Sequence, residues 1–306
     1  MKKTFYSNGK LLITGEYLVL DGAKAFALPT KSGQNLIVEN GVNHEINWKS
    51  YNADGRIWLE ERIPFKVISS GVKPENESIL NTLITILQHA YLLNPNFLHL
   101  SEGYCITTEL TFPKNWGLGT SSTLINNIAQ WLEIDAFVLL KNSFGGSGYD
   151  VACAQNNWPI LYHLKEGKPL VEKTTFNPLF IKNLYFVYLN KKQNSKTAIA
   201  SYNKNNRSDL AFKIEALDKI TFDVLNAKTI QQFAYALEQH EQTMSAILGI
   251  RTVKEDLFPD YDGVVKSLGA WGGDFVMIIS EKDPTEYFQK KGYNTLLKYN
   301  EMILTT

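Results

Sequence analysis

Three short stretches, each rich in glycine, carry the residue types that can handle an anion or move a proton. The first, "NWGLGTSST" (115–123), packs two glycines and four hydroxyl side chains into nine positions between a strand-like and a helix-like run. The second, "SFGGSGYDVACAQ" (143–155), again runs from glycines into a helix, and the third, "SLGAWGGDFVMII" (267–279), leads into a strand. Such a turn opening a helix is read in two ways. Glycine makes the turn and a hydroxyl caps the helix, or backbone N–H groups and the helix dipole face a phosphate.

Two charged residues stand beside these stretches. Asp150 follows Gly145, Gly146, Ser147 and Gly148 where the chain enters a helix. It is either an acid placed favourably at a helix N-terminus or a base beside a substrate hydroxyl. Lys10 directly precedes "LLITGEY". An edge lysine is ordinarily solvated, whereas a lysine paired with an aspartate would keep that acid ionised.

Several familiar sites are excluded. G-x-x-x-x-G-K-[ST] is absent, no G-x-G-x-x-G opens a βαβ unit, and "GGDF" (272–275) continues with Val276, unlike the protein-kinase D-F-G. His44, His89, His99, His163 and His240 are scattered without metal-ligand spacing, which makes each structural or superficial. The serines of "TSST" lack the G-x-S-x-G context of a hydrolase nucleophile.

These residues need elements to hold them. "KLLIT", "KAFALPT", "NLIVEN", "EINWKSYN" and "RIWLEE" alternate as strands. "SILNTLITILQHAYLL" (78–93) has helical spacing and stops at Asn94-Pro95. "YCITTELTF" is a strand and "TLINNIAQWLEI" a helix, followed by the strands "PILYHLK" and "NLYFVYLN". From Ser195 the pattern turns helical, in "SKTAIASYNK", "SDLAFKIEALDKITFDVLN" and "TIQQFAYALEQHEQTMSAIL". A short helix after Asp283-Pro284 and a strand "NTLLKYNEM" close the chain. The pattern predicts a two-part α+β protein with its seam near Lys182, residues 1–181 and 182–306.

The 306 residues are 44% hydrophobic and 20% charged, with 31 basic against 31 acidic side chains. Zero net charge gives no electrostatic reason to expect nucleic acid or an anionic membrane as partner. Two cysteines make no disulfide framework and fit a reducing cytoplasm. Polar residues and glycines interrupt the first apolar run, and no run reaches the ~18 apolar residues of a membrane span.

Taken in order, the motifs resemble the GHMP kinases, the family of galactose, homoserine, mevalonate and phosphomevalonate kinases. "KLLITGEYLVLDGAKAFALP" resembles the family's N-terminal substrate motif and "NWGLGTSST" its ATP phosphate loop. "GGSGYDVA" resembles the segment with the catalytic aspartate, and "SLGAWGGDFV" the third, glycine-rich motif. The resemblance runs from Lys10 to Phe275 and is nearest to phosphomevalonate and mevalonate kinases. Phosphomevalonate kinases tend to carry "GEY", a "GSG-x-D" and an acid after the third glycine cluster, here Gly15-Glu16-Tyr17, Gly146 to Asp150, and Asp274. "NKKQNSKTAIASY" (190–202) resembles a further segment of theirs.

The resemblance implies a ribosomal-protein-S5-domain-2-like N-terminal domain, a ferredoxin-like C-terminal domain, and a cytoplasmic monomer or homodimer. It implies ATP and Mg²⁺ as cofactors, with Lys10 and Asp150 catalytic. Gly117, Leu118, Gly119, Thr120, Ser121 and Ser122 would hold the nucleotide, the Ser121 hydroxyl ligating the metal. Glu16, Tyr17, Ser147, Gly148, Gly269, Ala270, Gly272 and Gly273 would line the substrate site. The acceptor would be a small carboxylate-bearing alcohol or its phosphate. A decarboxylase of the same fold and a non-catalytic nucleotide- or metabolite-binding homologue are the alternatives. This chain departs from the family in three ways. Trp271 replaces a small residue, Trp116 flanks the second loop, and only residues 124–144 separate the two loops. The acids of that interval, Glu133 and Asp135, do not match the spacing of the family's metal-binding glutamate.

Overall fold

The computed structural model describes residues 2–72, 76, 78–193, 199, 202 and 209–305. The expected helix "SKTAIASYNK" lies largely outside them. The chain forms two compact units, one of residues 1–9, 32–114 and 118–155, the other of residues 10–31, 115–117 and 156–306. Both β1 (Lys2–Thr14) and β2 (Ala25–Asn40) contribute residues to each unit.

In the first unit, β3 (Glu45–Tyr51) pairs antiparallel with β4 (Ile57–Pro64) and parallel with β5 (Tyr104–Leu110). β5 then pairs antiparallel with β2, from Gln34↔Leu110 to Asn40↔Tyr104. The helices are α1 (Phe65–Ser69), α2 (Ile79–Leu93), α3 (Asn96–His99), α4 (Thr120–Leu132), α5 (Ala136–Ser143) and α6 (Tyr149–Gln155). Ser78 caps α2 by accepting from the Asn81 N–H at 3.0 Å. Leu83, Ile86, Leu87 and Ala90 fall on one face of α2 and are buried with Leu36, Ile46, Trp48 and Ile106 of the sheet and Ile125 and Ile128 of α4. Each large apolar side chain so buried contributes about 1.5–3 kcal/mol. α4 is thus pressed into the core by its apolar stripe, which fixes where its N-terminus stands.

In the second unit, Ala25 to Ala27 of β2 pair with β6 (Ile160–Lys165), and β6 pairs with β7 (Lys168–Lys173). The β6–β7 turn, Glu166-Gly167, has φ of 52° and 73°, the two-residue geometry that matches strand twist. A second sheet runs β11 (Leu296–Lys298), β8 (Leu184–Tyr188), β10 (Phe275–Ile279), β9 (Val264–Ser267), all antiparallel. The helices are α7 (Leu210–Asn226), α8 (Ile230–Leu248), α9 (Val253–Leu257), α10 (Thr285–Lys290) and α11 (Tyr299–Met302). Every residue of β8 and β10 is buried, as their unbroken apolar sequences require.

These units differ from a division at 181/182. Phe176 packs on Phe26 at 5.2 Å, Phe233 at 5.5 Å and Tyr299 at 6.1 Å, and Phe180 on Phe233 at 5.2 Å, so residues 156–181 join the later part of the chain. "NTLLKYNEM" is strand only over Leu296–Lys298. The Glu301 carboxylate accepts from the Lys298 N–H at 2.7 Å and starts α11 there.

Candidate active site

The hydroxyl-rich loop of the first unit enters α4 through Gly119, whose φ of 97° and ψ of 42° are left-handed. Glycine offers no capping oxygen, and no side chain caps this terminus, so the N–H groups of the first turn are left to other acceptors. The Ser122 hydroxyl is buried and donates to the Gly119 carbonyl at 2.8 Å, while Thr120 and Ser121 are half-buried. Thr123 donates to Gln34 Oε1 at 2.7 Å. One turn further along α4, Asn126 and Asn127 reach the Ser7 hydroxyl at 2.8 and 2.7 Å, and Asn127 reaches the Gln34 carbonyl at 2.9 Å. Buried hydrogen bonds of this kind hold a helix in one register, because slipping by a residue would orphan each of them. The second glycine stretch has Gly145, Gly146 and Gly148 at φ of 80°, 99° and 95°. It opens α6 with Asp150 half-buried in the first turn, Oδ1 accepting from the Val151 N–H at 3.1 Å.

In the second unit, segments of three of the four motifs meet at Gly117. The Lys10 ammonium donates to the Gly117 carbonyl at 3.2 Å. A Cβ on Gly117 would overlap the Asp274 carboxylate, with Oδ1 at 2.5 Å, and φ is +70°. Asp274 is 9% exposed and is itself left-handed at φ 54°. Its N–H donates to the Lys191 carbonyl at 2.6 Å and its Oδ1 accepts from the Gln193 N–H at 3.1 Å. Burial raises the Asp274 carboxyl above the ordinary aspartate range, opposed first by the charge of Lys10 and then by the Gln193 N–H and Lys192. Asp274 was marked in the sequence only as a family sign. The structure makes it the neighbour of both Lys10 and the phosphate loop.

The expected substrate residues of this unit divide into two groups. The Tyr17 hydroxyl donates to the Ala270 carbonyl at 2.9 Å, and the ring lies 5.4 Å from Tyr202, so the first motif touches the third. Trp271 is 1% exposed, with φ 53°, and its carbonyl accepts from Gln193 Nε2 at 2.5 Å. Its bulk goes into the core with Tyr17, Leu18, Ala23, Leu217 and Met244. Glu16, by contrast, has a fully buried side chain, with Oε1 2.6 Å from Lys266 Nζ and Oε2 3.1 Å from His240 Nε2. Burial alone would raise Glu16, but the Lys266 ammonium outweighs it and holds the carboxyl below the ordinary glutamate range.

Glu133 and Asp135, the two acids between the loops, are not placed beside the hydroxyl-rich loop. Glu133 and Asp135 lie past the C-terminal end of the 13-residue α4, about 20 Å along the helix from the loop at 1.5 Å per residue. The Asp135 carboxylate is engaged in capping α5, accepting from the Phe137 and Val138 N–H groups at 2.7 and 3.1 Å. Among the described residues no group of three or more His, Cys, Asp or Glu side chains could hold a metal ion. The loop entering α4 has a first turn of small residues with no side-chain cap, an arrangement compatible with phosphate oxygens. No helix among the described residues is long and apolar enough to cross a membrane.

The whole chain has the fold of the GHMP kinases. The Methanococcus jannaschii mevalonate kinase superposes with a TM-score of 0.73 at 16% identity, covering 100% of this chain and 99% of that one. Streptococcus pneumoniae phosphomevalonate kinase in complex with phosphomevalonate and AMPPNP gives 0.69 at 15% identity, with 99% and 98% covered. Lactococcus lactis galactokinase complexed with galactose gives 0.64 at 12% identity, with 95% and 88% covered. No family model and no curated protein matches the sequence.

Proposed function

We propose that this chain is an ATP-dependent kinase of a small mevalonate-pathway acceptor, phosphomevalonate first and mevalonate second. The observation that carries the reading is the meeting at Gly117. The lysine of the first motif, the opening residue of the second and the aspartate of the third fall within contact of one backbone position. The "GEY", "GSG-x-D" and "GGD" signs of this chain favour phosphomevalonate over mevalonate.

Bound ATP supplies the γ-phosphoryl group. Backbone N–H groups of Gly117 to Ser122 would hold its phosphates, and the half-buried Ser121 hydroxyl would be the loop's ligand to a bound Mg²⁺. Phosphoryl transfer passes through a loose transition state, in which positioning and charge neutralisation outweigh covalent help. Lys10 supplies that charge, and Asp150 orients the accepting oxygen or takes its proton when the acceptor is a hydroxyl. In the second unit Gly269, Gly272 and Gly273 are the proposed acceptor contacts, braced by Tyr17 with Ala270, and in the first unit Ser147 and Gly148 are. A non-catalytic nucleotide-binding reading draws on the misfit of Glu133 and Asp135 to a metal.

ADP release measured over mevalonate, phosphomevalonate, diphosphomevalonate, homoserine and galactose decides between these. Turnover fastest with phosphomevalonate supports the proposal. Nucleotide-dependent thermal stabilisation without ADP release from any acceptor supports the non-catalytic reading, and neither stabilisation nor release overturns both.

A further inference from the structure

A buried charge cluster in the second unit has no part in the chemistry above. Lys266 on β9 has a fully buried side chain, and its ammonium donates to two acceptors, Glu16 Oε1 at 2.6 Å and the Ser267 carbonyl, with Glu241 Oε1 an ion-pair partner at 3.3 Å that accepts no hydrogen bond among the described residues. Glu241 Oε2 accepts from the Ser267 hydroxyl at 2.8 Å. His240, the residue before Glu241 on α8, is fully buried, and its Nε2 accepts from the Gly15 N–H at 3.2 Å while standing 3.1 Å from Glu16 Oε2. The cluster therefore joins the Gly15-Glu16-Tyr17 turn, α8, and the end of β9 one residue before Leu268 opens the third glycine turn.

Placing these charges in the core is expensive. Each buried ion costs several kcal/mol in desolvation, and apolar residues of similar size would serve stability as well or better. What an ion cluster adds is direction, since two hydrogen-bond acceptors and a second carboxylate at ion-pair distance fix one ammonium position. We infer that Lys266 is a positioning residue that clamps the first-motif turn, through Glu16, to the third glycine turn, with Glu241 as the adjustable arm of the clamp. This assigns Glu16 a role through Lys266 in place of direct substrate contact, and its kinetic side rests on the kinase reading.

The adjustment is a proton. Burial, opposed by Lys266 and the Ser267 hydroxyl, raises the Glu241 carboxyl to about 7. Glu16 and Lys266 face it from the other two segments, and His240 lies next to it on its own helix. Burial and then Lys266 push His240 below the ordinary histidine range, which favours its neutral form. A carboxyl raised in the closed cluster stabilises closure most below its ordinary pKa, and that stabilisation is lost as pH rises through 7. Between pH 6.5 and 8, a shift from about 7 to the ordinary 4.5 loosens the clamp about fourfold by proton linkage.

Hydrogen exchange read by mass spectrometry tests this without any activity. After correction for the intrinsic pH dependence, peptides covering 15–22 and 268–274 should open about fourfold more at pH 8 than at pH 6.5 in the intact protein. Glu241→Gln, which is isosteric and cannot ionise, should abolish that slope, and Lys266→Met should raise exchange in both peptides and leave the α2 peptide 79–93 unchanged. In steady-state assays, Glu241→Gln and Glu16→Gln should change the acceptor KM more than kcat. A pH-independent exchange in the intact protein, or a slope that persists in Glu241→Gln, overturns the inference. If Lys266→Met does not fold, the Glu241→Gln slope alone decides. Absence of turnover would refute the kinase reading and leave the exchange result standing.

Discussion

Gly117→Ala tests whether the meeting of the three motifs is real. The methyl group would enter the space of the Asp274 carboxylate at a backbone φ of +70°. A left-handed alanine costs about 1–2 kcal/mol, and overpacking an already filled space adds about 1–3 kcal/mol. Asp274 has little room to retreat, because its N–H is bound to the Lys191 carbonyl and its Oδ1 to the Gln193 N–H. The expected loss is therefore about 2–5 kcal/mol, or roughly 3–8 °C in Tm for a chain of this size. The two parts separate in a double-mutant cycle. Asp274→Gly removes the obstacle and suits a left-handed backbone, so in the Gly117→Ala background it should restore about 1–3 kcal/mol and leave the backbone cost. The assay is thermal unfolding with and without ATP, the single variant losing the nucleotide-induced rise as the Lys10 contact to the Gly117 carbonyl is displaced. A Gly117→Ala protein that melts like the wild type, or a double variant with no recovery, would refute the packing argument.

Three further outcomes follow from the site. Asp150→Asn keeps size and removes charge, so turnover should fall roughly 10²–10⁴-fold with Tm unchanged, and near-normal turnover would return Asp150 to a helix-end role. Lys10→Met should do similar damage, and the pair combined should lose much less than the product, as for groups acting together, whereas a full product would mean independent roles. Ser121→Ala should lower magnesium-dependent turnover more than it weakens metal-free nucleotide binding measured by calorimetry. Equal losses would assign Ser121 to loop geometry.

Much of the fold was legible because its elements obey simple periods. The stripe of α2 and the unbroken apolar runs of β8 and β10 are examples, and the structure keeps them where the sequence put them. The failures have local causes. β2 is one strand, although Gly33 reads as a boundary between "KAFALPT" and "NLIVEN". A Cβ there would overlap the Ser7 carbonyl and lie 2.6 Å from the Tyr6 hydroxyl, so this glycine serves close strand approach and makes no turn. α5 escapes because eight residues are too few for a helical period, and its signal is the Asp135 cap. β7 escapes because most of it is exposed and carries little apolar alternation.

The site was legible to a different degree in its loops and in its braces. Glycines and hydroxyls announce a loop that works through its backbone, since glycine adopts left-handed dihedrals without steric cost. Braces announce themselves by contradiction. In α8 the buried positions are Phe233, Ala236, Leu237, His240, Glu241 and Met244, one helical face on which a histidine and a glutamate stand where the period demands apolar residues. In β9, "VVKS", a lysine stands in a strand buried at all four positions. A glutamate in a core stripe is tolerable only if a cation meets it, and a lysine in a core strand only if an anion does. Each misplacement therefore predicts the other, and Glu16, beside the glycine of the first motif, is the second anion that Lys266 needs once Glu241 is partly protonated. With the burial of α8 and β9 known, "HE" in the one and "K" in the other explain each other as the two halves of the brace. The same test applied to Asp274, an acid in a glycine turn, points to Lys10, the cation whose charge the structure places beside it.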